Sequence, residues 1–281
     1  MPARPVSAQV VAITGGARGI GLAVAKAFAA RGARVALGDL DLELAEEAAK
    51  DLPTGCVALP LDVSDAASFA KFLDDAEAAL GPLDVLVNNA GMMLTGDFLT
   101  EPRGNVDKML AVNLGGVLIG ARLAAERFAP RGNGHIVNIA SMAGVAGFPG
   151  IATYCATKFG VVGLTHALRQ ELHPTGIRVS AVLPGIVHTE LSAGLQVSPL
   201  VERFGSCEPA DIANSVLRAV DHNRAKTYTP ARLGLLLRLG LALPESVQRR
   251  LHRTLGTERL YLNVDQATRD AYHARAAHDA A

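Results

Sequence analysis

The sequence predicts an α/β protein in which a parallel sheet of about seven strands carries helices on both faces. Short β-rich runs alternate with Ala-, Leu- and Glu-rich helical stretches along most of the 281 residues. The β-rich runs are apolar throughout instead of alternating, which is typical of strands that are covered on both faces. A repeated strand–helix–strand order implies right-handed crossovers, and these generate a doubly wound, Rossmann-like sheet.

The elements follow one another in a regular order. Helical stretches such as "GLAVAKAFAARG" and "DLELAEEAAKDL" separate the strand candidates. These candidates are "VVAIT" (Val10–Thr14), "RVALG" (Arg34–Gly38), "CVALPLD" (Cys56–Asp62), "DVLVNN" (Asp84–Asn89), "HIVNIAS" (His135–Ser141) and "RVSAVLP" (Arg178–Pro184). Beyond about Tyr228 the chain becomes rich in leucine and arginine. We therefore treat residues 1–228 as the main domain and residues 229–281 as a C-terminal helical extension.

Composition and charge exclude several classes of function. The chain is 49% apolar and only 19% charged, which argues against a disordered protein. The formal net charge is zero, so no global field attracts nucleic acid, and no nucleic-acid motif is present. Cys56, Cys155 and Cys207 lack the spacing of a metal site or a disulfide framework, so we expect free thiols and no metal. The first apolar run is too short for a signal peptide, and we expect a cytoplasmic protein.

A glycine-rich turn joins the first strand candidate to the first helix candidate in "VVAITGGARGIGLAV". Gly15 suits the positive φ of a tight turn, while Gly19 and Gly21, which flank Ile20, permit close approach of backbone, ligand and helix. The helix would then direct its free N–H groups at an anion such as a pyrophosphate. Glycine also serves ordinary turns, and the spacing differs from the usual G-x-G-x-x-G fingerprint. The position between strand and helix nevertheless favours phosphate binding.

Asp39 follows the second strand candidate, where a carboxylate can accept hydrogen bonds from both hydroxyls of an adenosine ribose. A 2′-phosphate would bring like charge against that carboxylate, which favours NAD over NADP. Arg18 is an argument for NADP, because a guanidinium in the loop can pair with a 2′-phosphate. The next position is Leu40 and not a basic residue, so NAD remains the preferred cofactor. An ordinary strand-end role for Asp39 is the alternative.

Tyr154 and Lys158 lie four residues apart in "TYCATKFG" and would share one face of a helix. By itself such a pair is usually a solvated helix face. Ser141, however, ends a strand candidate and would lie near the carboxyl edge of the sheet, where such folds bind ligands. A nearby ammonium and a positively charged nicotinamide favour the phenolate, which would make Tyr154 a usable acid–base catalyst. Ser141 would orient the substrate oxygen, and the chemistry that fits is hydride transfer.

Together these features resemble the short-chain dehydrogenase/reductase family, of the single-domain type, from about Val10 to Tyr228. The motifs are "TGGARGIG", Asp39, "LDV" (Leu61–Val63), "NNAG" (Asn88–Gly91), Asn113 in "AVNLGG", Ser141, Tyr154 with Lys158, and "PGIVHT" (Pro184–Thr189). The resemblance implies a catalytic set of Asn113, Ser141, Tyr154 and Lys158, with Asn113 holding a water through which Lys158 exchanges protons. Family members commonly end soon after the last strand, whereas this chain continues for roughly fifty residues.

The resemblance also implies how the cofactor is held. Asp62 and Val63 would contact adenine, the "NNAG" backbone would pass the adenosine side, and Val187 with Thr189 would bind the carboxamide. The implied cofactor-binding set is Gly15, Arg18, Gly19, Ile20, Gly21, Asp39, Asp62, Val63, Asn89, Ala90, Gly91, Tyr154, Lys158, Pro184, Gly185, Val187 and Thr189. Other roles remain open: Asn113 as a helix-internal hydrogen bonder, Asp62 as a strand-end cap and Thr189 as a helix N-cap.

Apolar segments dominate the expected substrate pocket. They are residues 92–94, residues 142–150 and the stretch after Thr189, although Glu190 and Arg203 could also enter the site. We therefore expect a hydrophobic secondary alcohol or ketone, such as a steroid-, retinoid- or lipid-like compound. An NADP(H)-dependent carbonyl reductase is one alternative function. A non-catalytic nucleotide-sensing or scaffold protein is another.

In the C-terminal extension, Pro244 divides an apolar half from a basic amphipathic half. Leu233–Leu243 is too short to span a bilayer. Val247, Leu251 and Leu255 form an apolar stripe, with Arg249, Arg250 and Arg253 off the stripe. Packing over the active site or a subunit interface, contact with a membrane surface, and disorder are the alternatives for the tail. The family resemblance implies a homo-oligomer, a tetramer or a dimer, and Gly115–Ala125 fits such an interface.

Overall fold

A computed structural model describes residues 5–53, 55–256, 260–262, 264–265, 267–269 and 272–273. The strands are Val10–Thr14 (β1), Arg34–Asp39 (β2), Cys56–Pro60 (β3), Val85–Asn88 (β4), Gly134–Ile139 (β5), Ile177–Pro184 (β6), Ile186–Val187 (β7), Ser206–Cys207 (β8) and Lys226–Thr229 (β9). A seven-stranded sheet has the order β3-β2-β1-β4-β5-β6-β9, and all its neighbours are parallel. The predicted α/β, doubly wound fold is confirmed.

Helices connect the strands and cover both faces of the sheet. They are Gly19–Ala29 (α1), Leu42–Lys50 (α2), Ala66–Leu80 (α3), Arg103–Leu110 (α4), Gly116–Phe128 (α5), Ala152–Glu171 (α6), Pro199–Gly205 (α7), Pro209–His222 (α8), Ala231–Leu241 (α9) and Glu245–Leu255 (α10). Side-chain caps mark some starts: Asp41 accepts from the Leu44 N–H before α2, and Asp65 accepts from the Ala67 N–H before α3.

The order in which strands are added to the sheet reverses at β1. Val11 pairs with Val35 of β2 on one side and with Val85 of β4 on the other. After β3 the chain therefore crosses back past β1 before it builds the second half of the sheet. Such a switch point opens a crevice at the carboxyl ends of the strands, which is where ligands bind in this architecture.

Alternate residues of each strand supply two separate cores. Val11 and Ile13 face α1 and α8, where they pack with Phe28 and Ile212. Val10 and Ala12 face the opposite layer of α3 and α5, with residues such as Phe69 and Phe128. Both cores are buried, which explains why the strand sequences lack a polar face. The sheet is thus a rigid platform that fixes where each strand ends.

The structure differs from the sequence-based elements at the far edge of the sheet. The seventh strand, β9, is the short and polar "KTYT", which has no apolar run to mark it. It ends at Thr229, one residue beyond the predicted domain boundary. The two-residue pair of β7 and β8 was also not predicted, because its register comes from a tertiary contact, Val187 with Cys207.

One continuous helical segment runs from Arg103 to Arg131 through α4, a π-helical turn at Ala111–Gly115, and α5. By length and composition it could cross a membrane, a property shared by core helices of many proteins. In this fold, Ala121, Ala124 and Phe128 pack against the sheet. The segment therefore acts here as a core helix.

Candidate active site

The glycine-rich turn has the backbone shape that its sequence predicts. Gly15 and Gly19 have φ values of +63° and +53°, a region that residues with a side chain rarely adopt. A Cβ at Gly21 would lie only 2.0 Å from the Gly15 carbonyl oxygen. The turn can therefore pass this close to α1 only with glycine at position 21.

Asn89 and Thr14 hold this turn against the end of β4. The Asn89 side-chain amide donates to the Thr14 and Gly15 carbonyl oxygens at 2.9 and 3.0 Å. The Thr14 hydroxyl oxygen accepts from the N–H groups of Asn89 and Ala90 at 3.0 and 2.9 Å. Asn89 thus supports the loop from behind, a role that the expected contact with adenosine did not include.

Asp39 ends β2 and turns its carboxylate toward the glycine-rich loop. One oxygen accepts from the Ala17 N–H at 3.0 Å and the other accepts from the Asp41 N–H at 3.3 Å. Burial raises the pKa of this carboxyl group, while the Ala17 N–H and the Arg18 charge lower it. Arg18 also lies 3.6 Å from the Glu190 carboxylate, so its guanidinium bridges the cleft.

Asp62 and Val63 follow β3 and form the adjoining wall. The Asp62 carboxylate accepts hydrogen bonds from the Ser64 N–H at 2.8 Å and from the Ser64 hydroxyl at 2.7 Å. This is the local capping that was the alternative to an adenine contact. Both residues nevertheless line the cleft, so capping and an adenine contact are compatible.

Tyr154 and Lys158 lie in the first half of α6 and are both buried, at 7% and 4% exposure. The Lys158 Nζ is 5.6 Å from the centre of the Tyr154 ring and donates to the Ile139 carbonyl oxygen at 3.0 Å. The carbonyl bond at the end of β5 fixes the lysine, so the pair is not a solvated helix face. The close approach expected from the spacing is therefore present.

The electrostatics of the pair differ from the sequence-based expectation. Burial raises the pKa of Tyr154 well above its usual value, and a hydrogen bond with Ser141 acts in the opposite direction. Burial also lowers the pKa of Lys158 to about 8. Desolvation of the phenol thus outweighs the hydrogen bond from Ser141 that favours the phenolate. The sequence reveals the spacing of the two groups but not how deeply the fold buries them.

Ser141 stands beside the pair at the end of β5. Its hydroxyl oxygen accepts from the Ala143 N–H at 3.1 Å and so caps the short 3₁₀ turn Met142–Gly144. The same hydroxyl hydrogen-bonds Tyr154. The cap fixes where the hydroxyl points, and both oxygens face the same cleft.

Asn113 occupies the π-helical turn between α4 and α5 and is fully buried. Its side-chain oxygen accepts from the Met92 N–H and its amide donates to the Met92 carbonyl, both at 2.8 Å. The amide is also 3.3 Å from the Thr157 hydroxyl. The side chain is thus bonded across to the strand-end loop, and its helix-internal alternative is wrong.

The segment after β6 forms the remaining wall of the cleft. Pro184 and Gly185 lead into β7, which contains Val187. Thr189 occupies the N-cap position of the 3₁₀ turn Glu190–Ser192, and its N–H donates to the Ser192 hydroxyl at 3.4 Å. The N-cap alternative therefore describes its position, and Thr189 still lines the cleft.

These walls enclose one cleft of about 530 Å³. The residues predicted from sequence that line it are Gly15, Arg18, Gly19, Ile20, Asp39, Asp62, Val63, Asn89, Ala90, Gly91, Ser141, Tyr154, Lys158, Pro184, Gly185, Val187 and Thr189. Gly21 and Asn113 are outside this lining and support it from behind. Residues that are separated by as many as 174 positions in sequence thus meet at one edge of the sheet.

Tyr261 and Tyr272, both in the tail, are among the lining residues that were not predicted from the sequence. They belong to a buried apolar cluster with Met92, Met93 and Tyr154. Of the alternatives predicted for the tail, Tyr261 and Tyr272 agree with packing over the active site. No local motif marks them, because isolated tyrosines in a polar stretch carry no periodic signal.

The helices that precede these tyrosines behave differently. Leu233 and Leu237 of α9 pack against the buried cluster near α6. Leu239 remains 60% exposed, and so does much of α10, where Val247 is 41% exposed. The side chains of Leu251 and Leu255, the other members of the predicted stripe, lie outside the described residues.

The geometry of the site defines a class of protein. A glycine cradle and an acidic strand end lie beside a buried Ser–Tyr–Lys cluster at the switch point of a parallel sheet. That combination is typical of an NAD(P)-dependent oxidoreductase.

Comparisons with known proteins agree with this class. The family model "short chain dehydrogenase" matches residues 9–198. A 2-(S)-hydroxypropyl-CoM dehydrogenase of Xanthobacter autotrophicus is 39% identical over 227 residues, 74% of this chain and 88% of that protein. A 3-alpha-(or 20-beta)-hydroxysteroid dehydrogenase of Mycobacterium tuberculosis is 36% identical over 74% of this chain and 81% of its own. The protein belongs to the short-chain dehydrogenase/reductase family.

A solved structure shows the same fold. The 3-ketoacyl-(acyl-carrier-protein) reductase of Brucella melitensis, complexed with NADH, superposes with a TM-score of 0.71 and 28% sequence identity. The match covers 78% of this chain and 96% of that one. The protein is an NAD(P)-dependent enzyme of this family, and the family model ends ahead of the tail.

Proposed function

We propose that the protein is an NAD-dependent dehydrogenase for an apolar secondary alcohol, with Tyr154 as the general acid–base. The observation that carries the proposal is the cluster of Ser141, Tyr154 and Lys158 at the base of the cleft, next to the glycine cradle. Bound NAD supplies the carbon that accepts or returns a hydride.

The residues present fit such a cofactor. Because Gly21 has no side chain, the glycine-rich turn passes close to the start of α1. A pyrophosphate would bind along this backbone, at the N-terminus of the helix. Asp39 has a carboxylate at the cleft wall that can accept from ribose hydroxyls. Val187 and Thr189 lie on the opposite wall, where a carboxamide would bind. Each of these contacts would be made by residues whose positions are fixed by the sheet and the turns that follow its strands.

Tyr154 would hold or take the proton at its phenolic oxygen. Burial keeps the phenol protonated at neutral pH, which suits donation of a proton to a ketone oxygen. In the oxidative direction Tyr154 has to lose that proton, and the Ser141 hydrogen bond favours the phenolate that results. Lys158 is protonated below about pH 8 and adds positive charge near the ring. The oxidative rate is therefore expected to depend on both groups.

The buried carboxylate of Asp39 supports NAD over NADP. A 2′-phosphate would place a second negative charge against it, and the adjoining Leu40 brings no cation. Arg18, the candidate partner of a 2′-phosphate, lies against Glu190 instead. Titration of wild type and Asp39→Ala with NADH and NADPH tests this choice. We expect a preference for NADH that Asp39→Ala removes; tighter binding of NADPH by wild type would support the carbonyl-reductase alternative.

The substrate side of the cleft supports an apolar alcohol. Met92, Met93, Leu191 and Leu195 line it together with the two tail tyrosines. One of the relatives is named a hydroxysteroid dehydrogenase, which is consistent with a bulky apolar substrate. The test is a panel of steroid-, retinoid- and lipid-like secondary alcohols against small polyols, with NAD⁺ reduction as the readout. Faster turnover of the polyols would contradict the proposal.

We also propose a homo-oligomer, built on the faces of α4, α5 and α6. Leu110, Leu118 and Phe159 leave large apolar surface exposed there, at 40%, 47% and 46%. Pairing of these faces between subunits would bury that surface. Light scattering of the purified protein tests the assembly: a dimer or tetramer is expected for wild type, and Leu118→Glu should weaken it. A monomeric wild type would contradict this part of the proposal.

A cytoplasmic location with peripheral membrane contact is part of the proposal as well. Leu236, Leu239 and Leu243 are exposed, at 54%, 60% and 39%, and the exposed Arg249 and Arg250 lie on the helix that follows. Apolar side chains flanked by arginine are suited to an anionic lipid surface. Flotation with anionic vesicles, but not with neutral ones, is expected. Leu239→Glu should reduce the floated fraction, and absence of wild-type flotation would remove this contact from the proposal.

A further inference from the structure

Arg269 is a fully buried arginine in the tail, with 0% of its surface exposed. Its Nη2 donates to the Met93 carbonyl oxygen at 2.7 Å. Its Nη1 donates to the Leu191 carbonyl at 2.8 Å and to the Ala193 carbonyl at 3.4 Å. The guanidinium carbon lies 4.8 Å from the centre of the Tyr272 ring. A buried cation loses its hydration, so these contacts are what compensates for burial.

The two segments that Arg269 joins are far apart in sequence. Residues 92–95 follow β4, whereas residues 191–195 begin within the 3₁₀ turn after β7. Both segments supply walls of the substrate side, through Met93 and Leu195 among others. One planar guanidinium therefore spans the gap between the two loops. A lysine has a single donor centre and could not reach both carbonyl groups in this way.

Backbone contacts reinforce the same junction. The Asp265 N–H donates to the Gly194 carbonyl at 2.8 Å, and Val264 pairs with Leu195 in an antiparallel bridge. Gly194 has a φ of +80°, and a Cβ there would lie 3.3 Å from the Arg269 side chain. The loop is thus shaped to receive the tail, which argues against a chance contact.

The tail tyrosines complete the wall that Arg269 anchors. The Tyr272 hydroxyl oxygen accepts from the Met93 N–H at 3.2 Å. Tyr261 packs edge-to-face on Phe148, with ring centres 6.0 Å apart. A Cβ at Gly150 would lie 3.0 Å from the Tyr261 backbone, so the segment passes close by. Both rings line the same cleft as Tyr154.

We propose that Arg269 is a positioning residue that holds loops 92–95 and 191–195 together, and that Tyr261 and Tyr272 determine substrate specificity. The substrates selected would be rigid cyclic secondary alcohols or ketones. The two fixed aromatic rings, together with the methionine and leucine side chains that line the same part of the cleft, offer a flat ring system a large apolar contact area. This inference rests on the proposed function of the same site. The tail thus sets which alcohol reaches Tyr154, while the glycine cradle is built without it.

The first experiment measures the loops without any substrate. Hydrogen exchange of residues 92–95 and 191–195 is compared in wild type, Arg269→Met, Arg269→Lys and the control Arg103→Met, an arginine exposed on α4. Faster exchange in both loops is expected for the Arg269 variants only, with NADH affinity kept within about twofold. Unchanged loop exchange in Arg269→Met would overturn the positioning role. Loss of NADH binding along with the loops would show a general structural role instead.

The second experiment measures specificity with the cyclic and acyclic alcohols of the panel. Tyr261→Ala and Tyr272→Ala are expected to raise KM for cyclic substrates about tenfold while kcat falls less, because a buried ring contact is lost. Tyr272→Phe keeps the ring and should retain the cyclic preference. An unchanged ranking of substrates in both alanine variants would overturn the specificity role. If wild type turns over no alcohol, the proposed function fails, and the exchange experiment still decides the role of Arg269; if neither Arg269 variant folds, the tyrosine variants decide the inference.

Discussion

The two walls of the cleft are built in different ways. On the cofactor side, backbone geometry sets the shape: Gly15 and Gly19 have positive φ, and Gly21 leaves no room for a Cβ. On the substrate side, a tail side chain sets the shape, because Arg269 joins two loops through their carbonyl groups. The glycine cradle lies within a short stretch of chain, whereas the junction on the substrate side joins Met93 to Arg269, which are 176 positions apart.

Because of this difference, the two walls should tolerate different amino-acid substitutions. The glycine cradle tolerates few substitutions, because Gly15 and Gly19 have a positive φ and a side chain at Gly21 would meet the Gly15 carbonyl. A wall made of tail side chains can change its residues while the sheet and the cradle stay intact. Cofactor binding and substrate choice should therefore respond to different mutations.

Removal of the Tyr154 hydroxyl should give the largest loss. Tyr154→Phe keeps the ring in its buried position and takes away the proton donor, so kcat should fall by about 10²–10⁴-fold. NADH affinity should be nearly unchanged, because the cradle lies elsewhere. Steady-state kinetics with a fluorescence titration of NADH measure both quantities. Turnover close to wild type would mean that another group transfers the proton.

The buried lysine predicts a pH dependence of stability. The pKa of Lys158 falls from 10.5 to about 8 on folding, so the unfolded chain binds more protons between those pH values. The contribution of Lys158 to the free energy of unfolding is therefore lowest below pH 8 and rises toward pH 10.5. At ~1.4 kcal/mol for each pKa unit, the gain is on the order of 3 kcal/mol.

Urea unfolding of wild type and Lys158→Met across this range measures the effect. The wild-type free energy of unfolding should rise relative to the variant as pH increases. Lys71→Met, at a lysine 71% exposed on α3, serves as the control. A difference between wild type and Lys158→Met that stays constant with pH would contradict the burial of the ammonium.

The cradle itself predicts a smaller effect on stability with a clear effect on binding. Gly21→Ala forces a Cβ to within 2.0 Å of the Gly15 carbonyl, so the turn has to move. We expect a loss of about 1–3 kcal/mol in the free energy of unfolding and weaker NADH binding. Gly163→Ala is the matched control, because its Cβ meets no atom within 4 Å. Equal NADH affinity in both variants would contradict the cradle.

A surface cluster beside the cleft should contribute least. The His188 ring is hydrogen-bonded to the Glu208 carboxylate at 2.5 Å and to the Glu202 carboxylate at 2.8 Å. These carboxylates raise the pKa of His188. A raised pKa stabilises the fold fully below the unfolded value of 6.5, and the contribution is lost as pH rises through the folded value. Because the side chain is 46% exposed, His188→Gln should cost less than about 1 kcal/mol at low pH. Thermal unfolding at acidic and alkaline pH measures it; a larger cost at alkaline pH would reverse the expected sign.

The same contrast explains how far the sequence could predict the molecule. The glycine turn, Asp39 and the Tyr154–Lys158 spacing are local patterns, and the alternation of strands and helices places them at one sheet edge. Tyr261, Arg269 and Tyr272 have no such pattern, because their partners lie in loops that are distant in sequence. The pKa shifts of Tyr154 and Lys158 could not be predicted either, because they follow from burial, and sequence spacing does not show how deeply a group is buried.

The assignment of hydride transfer is tested most directly by isotope labelling. Wild-type protein is incubated with NAD⁺ and a cyclic secondary alcohol that carries deuterium on its carbinol carbon, and the NADH formed is weighed by mass spectrometry. The account predicts NADH that contains the substrate deuterium, and almost none formed by Tyr154→Phe. NADH without deuterium, or no NADH from any member of the panel, would contradict it.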